Sequence, residues 1–230
     1  MIYFAHRGAS AKRVQNTLAA FSLARREGAV CYELDVHLLA DGQLAVHHDY
    51  SLAATAGKEE ELAHLKTADL AGYPLHNPFS ADFVSVPLLT QVLPIVWPEL
   101  SCLNIELKND ENRYPGIEQA VLSVVQQQSH GMEKVLFSSF DYSTLQRLRS
   151  LAPQARIGWL TRKFELEKAQ QIGAESVHIN QTRFAPELIS LCHANGLKVF
   201  VYTVNDQATA QHLAQQGADG IFTDCIDLFL

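Results

Sequence analysis

The sequence predicts an α/β fold, a closed (β/α)8 TIM barrel with a small insertion after strand 2. Three observations predict it. Eight short β-rich runs alternate with amphipathic helical stretches over nearly the whole chain, the runs are mostly apolar, and no GxGxxG follows any of them. A regular β-then-α order implies a parallel sheet, and eight units close it into a barrel rather than leave it open for a dinucleotide.

The candidate strands, in order, are IYFA (2–5), VCYELDV (30–36), CLNIEL (102–107), KVLFS (134–138), RIGWL (156–160), SVHIN (176–180), KVFVYT (198–203) and DGIFT (219–223). Between them lie NTLAAFSLARREG, IEQAVLSVVQQQ, YSTLQRLRSLA, FELEKAQQIG, PELISLCHANG and DQATAQHLAQQG, several of which close on Gly, as helix C-termini often do. Residues 37–88 break the rhythm, being too long for a single helical connection. They contain LLADGQLAVHHD, where Asp41-Gly42 marks a tight hairpin turn. This stretch is read as a small lobe above the barrel mouth, inside one domain spanning residues 1–230. No repeat, Pro-rich linker or low-complexity tract marks a second one.

Composition narrows the function. At 47% hydrophobic and 19% charged residues, the chain is made like a soluble globular protein and holds enough apolar material for a large core. A net charge of -7 without any Lys/Arg-rich run argues against a nucleic-acid partner, which would need a cationic footprint, and against docking on acidic lipid. Cys31, Cys102, Cys192 and Cys225 lie far apart with no CxxC pair, which fits reduced thiols. The opening MIYFAHRG is too short an apolar stretch for a signal peptide, and no run of about 18 apolar residues offers a membrane anchor. The expectation is a cytoplasmic, soluble protein.

Barrel geometry then gives the polar strand residues a place, because active sites of such barrels sit at the C-terminal ends of the strands. His6 and Arg7 end strand one. Glu33 and Asp35, one residue apart and so on one face, end strand two; Glu106 and Lys108, spaced alike, end strand three. Ser138, Ser139, His178, Tyr202 and Asp224 hold comparable positions later, and His48 and Asp49 end the hairpin arm, from which they can fold over the mouth. A structural ion network would explain any one acid. Three carboxylates converging without a Cys or a His cluster instead favour a hard divalent cation, Mg2+ or Ca2+.

Three carboxylates, a dication and the cations Arg7 and Lys108 leave a net charge of about +1, which one phosphodiester monoanion neutralises. Arg suits phosphate through two parallel hydrogen bonds, and Lys adds a point charge. Cleaving such a diester needs one proton removed and one delivered, and His6 and His48 are the pair beside the acids. Alternation turns His37 and His47 away from that pair, and His178 is read as a core histidine before a functional one.

HRGAS (6–10), NTLAAF (16–21), ELDVHLLADGQLAVHHD (33–49), VPLLTQVL (86–93), IELK (105–108), FSSFD (137–141), VYTVND (201–206) and DGIFTD (219–224) together resemble the glycerophosphodiester phosphodiesterases, in order and along the full length. The resemblance implies a (β/α)8 barrel that uses a divalent metal to hydrolyse a small-molecule glycerophosphodiester to glycerol 3-phosphate and an alcohol. By position it implies metal ligation by Glu33, Asp35 and Glu106, acid-base work by His6 and His48, phosphate contacts from Arg7 and Lys108, and Asn16 and Tyr202 near the substrate. Two departures stand out. Val14 and Gln15 replace the family's usual Pro-Glu before Asn-Thr, which removes a negative charge from the rim and is read as tuning of metal or hydroxyl contacts. Tyr202 replaces a frequent Trp. A hydrolase of lysophospholipids or other phosphodiesters, and a non-catalytic phosphate-ligand sensor motivated by Gln15, are the alternatives.

Overall fold

All eight β-rich runs form strands in the structure, a computed structural model that describes residues 1–111 and 113–230. They are β1 (Ile2–His6), β2 (Cys31–Leu38), β4 (Cys102–Leu107), β5 (Val135–Ser139), β6 (Arg156–Leu160), β7 (Ser176–Asn180), β8 (Lys198–Tyr202) and β9 (Gly220–Thr223), with β3 (Leu44–Val46) outside the series. Each barrel strand pairs parallel with the next, and β9 returns to β1 through Ile2↔Gly220 to Ala5↔Thr223, so the sheet closes. The ring buries two cores. Inside it, Phe4, Cys31, Cys102, Leu136, Phe200 and Phe222 fill the lower barrel. The outward strand residues Leu34, Ile105, Phe137, Ile157, Val177, Val199 and Ile221 pack under the helices. Alternation along each strand assigns the two sets.

The helices are α1 (Leu18–Arg26), α2 (Ala53–Ala56), α3 (Leu89–Val96), α4 (Ile117–Gln126), α5 (Gly131–Lys134), α6 (Tyr142–Leu151), α7 (Leu166–Gln171), α8 (Pro186–Ala194) and α9 (Gln207–Gln215). Thr17, Asp141 and Asp206 accept backbone N–H bonds at the starts of α1, α6 and α9. The sequence reading does not single out the one-turn helices α2 and α5, nor the longer α3, which carries Pro94 inside it. Leu89, Val92, Leu93 and Val96 are buried at helical spacing while Pro94 points to solvent, so apolar burial offsets the lost hydrogen bond.

Strand β2 runs two residues beyond the expected Val36. Val36, His37 and Leu38 pair antiparallel with Val46, Ala45 and Leu44 of β3, which raises a hairpin arm above the barrel. Glu33 and Asp35 therefore lie within the strand and not at its end; pairing with β3 keeps the chain extended past them. Above the arm, Leu39, Ala45, Leu52, Leu62, Leu65, Leu70, Leu75 and Val86 form a separate small core.

The loop from β1 into α1 is held in left-handed backbone at Arg7 (φ 59°), Gly8 (φ 82°) and Asn16 (φ 58°). A Cβ at position 8 would lie 2.6 Å from the Ala20 carbonyl carbon and 2.8 Å from the Phe21 nitrogen. Gly8→Ala is therefore expected to destabilise by about 2 kcal/mol or more, combining left-handed strain with overpacking. Gly57→Ala, at φ 65° with open space around it, should cost only about 1–2 kcal/mol of strain. Urea unfolding of the two variants measures the difference, and equal losses would contradict the packing argument.

Candidate active site

Register brings the acids together. Asp35 of β2 lies level with Glu106 of β4, and Glu33 lies level with His6 of β1. One oxygen from each of Glu33, Asp35 and Glu106 falls within 4.8 Å of the others, and all three side chains are buried. Arg7 Nε lies 3.1 Å from Asp35 Oδ2, and the Arg7 backbone N–H donates to Glu33 Oε2 at 3.1 Å. Lys108 Nζ donates to Glu106 Oε1 at 3.0 Å and stands 3.9 Å from Asp35 Oδ1. Asn16 Nδ2 donates to Asp35 Oδ2 at 2.8 Å.

Two cations against three buried carboxylates leave the cluster under-compensated. Burial, reinforced by the neighbouring Asp35 charge, pushes Glu33 well above the usual carboxylate range. Burial likewise raises Glu106 to about 7, with Lys108 opposing and Asp35 adding to the rise. Burial acts in the same direction on Asp35, but Arg7, Lys108 and the Asn16 hydrogen bond outweigh it and hold that carboxyl low. Asp35 Oδ1 is buried and has no hydrogen-bond partner among the described residues. Hard, converging oxygens with one lone pair unused are the donor set a Mg2+ or Ca2+ ion takes, so these residues fit a dication.

The two histidines are both oriented by acids. His6 Nδ1 lies 2.7 Å from Asp224 Oδ1, which leaves Nε2 turned to the acid cluster, 3.9 Å from Glu33 Oε2. Asp224 is fixed in turn by Ser10 Oγ at 2.8 Å and Asn205 Nδ2 at 2.8 Å. Burial and then Arg7 lower the His6 pKa, against the opposing pull of Asp224. Burial disfavours the charged Asp224, but the His6 hydrogen bond and charge, with the bonds from Asn205 and Ser10, together outweigh it and bring it down to about 2. His48, at the end of the hairpin arm, pairs Nδ1 with Asp49 Oδ1 at 2.7 Å. His6, Arg7, Glu33, His48, Glu106, Lys108 and Tyr202 all line one cavity of about 450 Å³ at the C-terminal end of the barrel.

The geometry agrees with what the chain resembles. Residues 6–228 match the family model "Glycerophosphoryl diester phosphodiesterase family". A glycerophosphodiester phosphodiesterase of Caldanaerobacter subterraneus is 33% identical over 97% of this chain and 93% of its own, and one of Bacillus altitudinis is 35% identical over 97% and 94%. The chain belongs to the glycerophosphoryl diester phosphodiesterase family. Its activity class is that of a glycerophosphodiester phosphodiesterase. Among solved structures, an Oleispira antarctica phosphodiesterase in complex with the product sn-glycerol-3-phosphate superimposes with a TM-score of 0.89 at 27% identity, covering 99% of this chain and 94% of that one. A glycerophosphodiester phosphodiesterase from Thermotoga maritima gives 0.81 at 26%, covering 100% and 96%.

Of the residues this phosphodiesterase was expected to use, Asp35 and Asn16 are not on the cavity wall; Asp35 lies fully buried behind it. Asn16 sits buried beneath, holding Asp35. Gln15 reaches neither the acids nor the cavity; its Oε1 accepts from Arg7 Nη1 at 2.6 Å, so the uncharged amide anchors Arg7 without neutralising it. Ser139 accepts from the Asp141 backbone N–H and so serves the turn into α6. His37 and His47 turn to Tyr114 and Thr55, beneath the lobe. Sequence reasoning missed the Asp224–His6 pairing and the wall residues Asn104, Phe140, Arg162 and Arg183. Strand parity points Asn104 inward and barrel closure brings β9 beside β1, but which atoms meet is set only by the three-dimensional register.

The raised Glu106 and Glu33 carry a pH signature. Their folded-state pKa values exceed the unfolded ones, so in chelated protein their contribution to stability falls as pH rises from about 4.5, where unfolded Glu ionises, to about 7. A dication that replaces the protons reverses this. Added Mg2+ or Ca2+ should therefore raise the melting temperature little at pH 5 and clearly at pH 8, measured against chelated protein. An increment that does not grow with pH would contradict the carboxylate site.

Proposed function

We propose that this chain hydrolyses glycerophosphodiesters to glycerol 3-phosphate and an alcohol, with a divalent cation held by Glu33, Asp35 and Glu106. The observation that carries the reading is one cavity lined by Glu33, Glu106, two cations and two acid-oriented histidines, with Asp35 completing the carboxylate trio just behind the wall. The sn-glycerol-3-phosphate bound in the Oleispira antarctica structure supports the product. When bound, the cation supplies Lewis-acid stabilisation of charge on the phosphoryl oxygens.

The remaining work falls to the chain's own groups. Arg7 and Lys108 offer donors to the phosphate, and both become freer to do so once the acids no longer depend on them alone. His6 is held with Nδ1 on Asp224 and its pKa lowered by burial, so its Nε2 lone pair is the base that takes a proton from an attacking hydroxyl. His48, its Nδ1 on Asp49 and its ring half-exposed, delivers the proton to the departing alkoxide. Tyr202 closes one wall with its ring edge-on to Phe140, centroids 6.3 Å apart.

Among the described residues no helix is long and apolar enough to cross a membrane. Free thiols at Cys31, Cys102, Cys192 and Cys225 support a cytoplasmic site of action. A lysophospholipid substrate is a second reading, favoured by the exposed Phe79 and Phe83 on the lobe. Family membership and the complete set of ionisable partners speak against a non-catalytic sensor.

Release of glycerol 3-phosphate from a panel of glycerophosphodiesters, beside a lysophospholipid and with and without chelator, tests the function. The expected result is metal-dependent release from the glycerophosphodiesters. Turnover of the lysolipid alone would move the substrate class. His6→Ala and His48→Ala should each lower kcat by about 10²- to 10⁴-fold, the range of a lost proton-transfer step. Near-wild-type turnover in either would remove that residue from the mechanism.

A further inference from the structure

We propose that Arg162 and Arg183 form a second anion-binding subsite at the cavity mouth, which selects diesters whose alcohol half carries a phosphate or a carboxylate of its own. The inference rests on the phosphodiesterase reading and deepens it to a substrate class. Arg162 follows β6, and Arg183 ends a 3-10 turn (Gln181–Arg183) that follows β7. These strands are neighbours in the sheet, so both side chains arrive together at the cavity that Glu33 and Glu106 also line. Both are exposed, so a ligand held in that cavity can reach them.

Charge sets this pair apart from the other cations of the cavity. Arg7 and Lys108 are committed to the acid cluster, at 3.1 Å from Asp35 and 3.0 Å from Glu106. Among the described residues neither Arg162 nor Arg183 has a carboxylate within 4.0 Å. The acids on the cavity wall are Glu33 and Glu106, which the metal reading already uses. Asp110 and Glu111 share a neighbouring groove with Arg162 but stand farther than 4.0 Å from it, and Asp110 accepts from the Tyr50 hydroxyl at 2.6 Å. Tyr202 stands between the two charged groups. Burial pushes its hydroxyl up to about 12, Glu106 adds to the rise, and Arg162, Arg183 and Lys108 oppose it.

The two guanidinium groups are positioned by contacts that leave donors free. The Arg162 guanidinium carbon lies 4.9 Å from the centroid of the Phe140 ring, and Arg183 Nη1 donates to the Arg162 carbonyl at 2.7 Å. The loops beneath are pinned: Thr161 Oγ1 donates to the Lys163 carbonyl at 2.6 Å and accepts its N–H at 3.0 Å, and Asn180 Oδ1 accepts the Thr182 N–H at 2.9 Å. Stacking on a ring uses a face of the guanidinium and leaves its in-plane N–H groups available, and Arg183 spends one of its donors on a carbonyl. Two like charges set side by side repel until an anion joins them, and phosphate and carboxylate both accept parallel N–H bonds from such forks. Arg7 and Lys108 serve the reacting phosphoryl group. The anion for Arg162 and Arg183 is therefore a separate one on the same substrate, whereas a cationic head group would meet like charge there.

The test uses pairs of diesters that differ by one anion: glycerophosphoserine against glycerophosphoethanolamine, and glycerophosphoglycerol phosphate against glycerophosphoglycerol. Wild-type kcat/KM should favour the anionic member of at least one pair by about tenfold or more, the worth of a charge-assisted hydrogen bond. A preference in the first pair identifies a carboxylate as the bound group, and one in the second a phosphate. Arg162→Gln and Arg183→Gln should each cut the ratio by about threefold or more and together abolish it, while Arg183→Lys, which keeps the charge without the fork, should retain part. Ratios near one in the wild type overturn the proposal, and that measurement needs no variant. So does a preference that survives in the folded double variant, since the field of Arg7 and Lys108 would then account for it. If no diester turns over, calorimetry on the same pairs replaces kinetics: tighter binding of the anionic members leaves the subsite standing while the hydrolytic reading falls. Cleavage of all four compounds at equal kcat/KM does the reverse.

Discussion

Three carboxylates taken out of water within 4.8 Å of one another, balanced among the described residues by the cations Arg7 and Lys108, set the terms for everything else at the top of this barrel. Desolvation of an unpaired carboxylate is costly enough that the group takes up a proton or finds a cation. Here the compensation is uneven. Asp35, beside Arg7, within 3.9 Å of Lys108 and bonded by the Asn16 amide, is held low, whereas Glu33 and Glu106 are pushed toward protonation. A dication would remove that imbalance, and its arrival would loosen the hold of the acids on Arg7 and Lys108.

Much of the surrounding structure serves that cluster. The left-handed backbone at Arg7 and Asn16 places two side chains of one loop on opposite jobs, Arg7 at the cavity wall and Asn16 beneath Asp35. Gly8 lets the same loop press on α1. The hairpin arm of β2 and β3 carries His48 back to the mouth, so the second histidine arrives from outside the barrel while the first comes from its first strand. Closure of the sheet sets Asp224 behind His6, 218 residues away in sequence.

The sequence disclosed what depends on period and position, and withheld what depends on register across the barrel. Strand alternation was enough to put Glu33 with Asp35 and Glu106 with Lys108 on inward faces, and the β/α order was enough to set those faces at one end. The Asp41-Gly42 turn marked the hairpin. Pro94 masked α3, since a proline reads as a break unless its solvent-facing position is known. The Gln15 contact with Arg7 depended on the left-handed turn, and the pairing of Asp224 with His6 and the meeting of Arg162 with Arg183 depended on which strands become neighbours after closure. Local pattern cannot supply those distances.

The most direct measurement of the central claim is anomalous diffraction from crystals soaked in Mn2+, a hard dication of suitable ligand preference. The account predicts one strong peak bridging the carboxylate oxygens of Glu33, Asp35 and Glu106. The absence of a peak there, with Arg7 and Lys108 still paired to the acids, would contradict it.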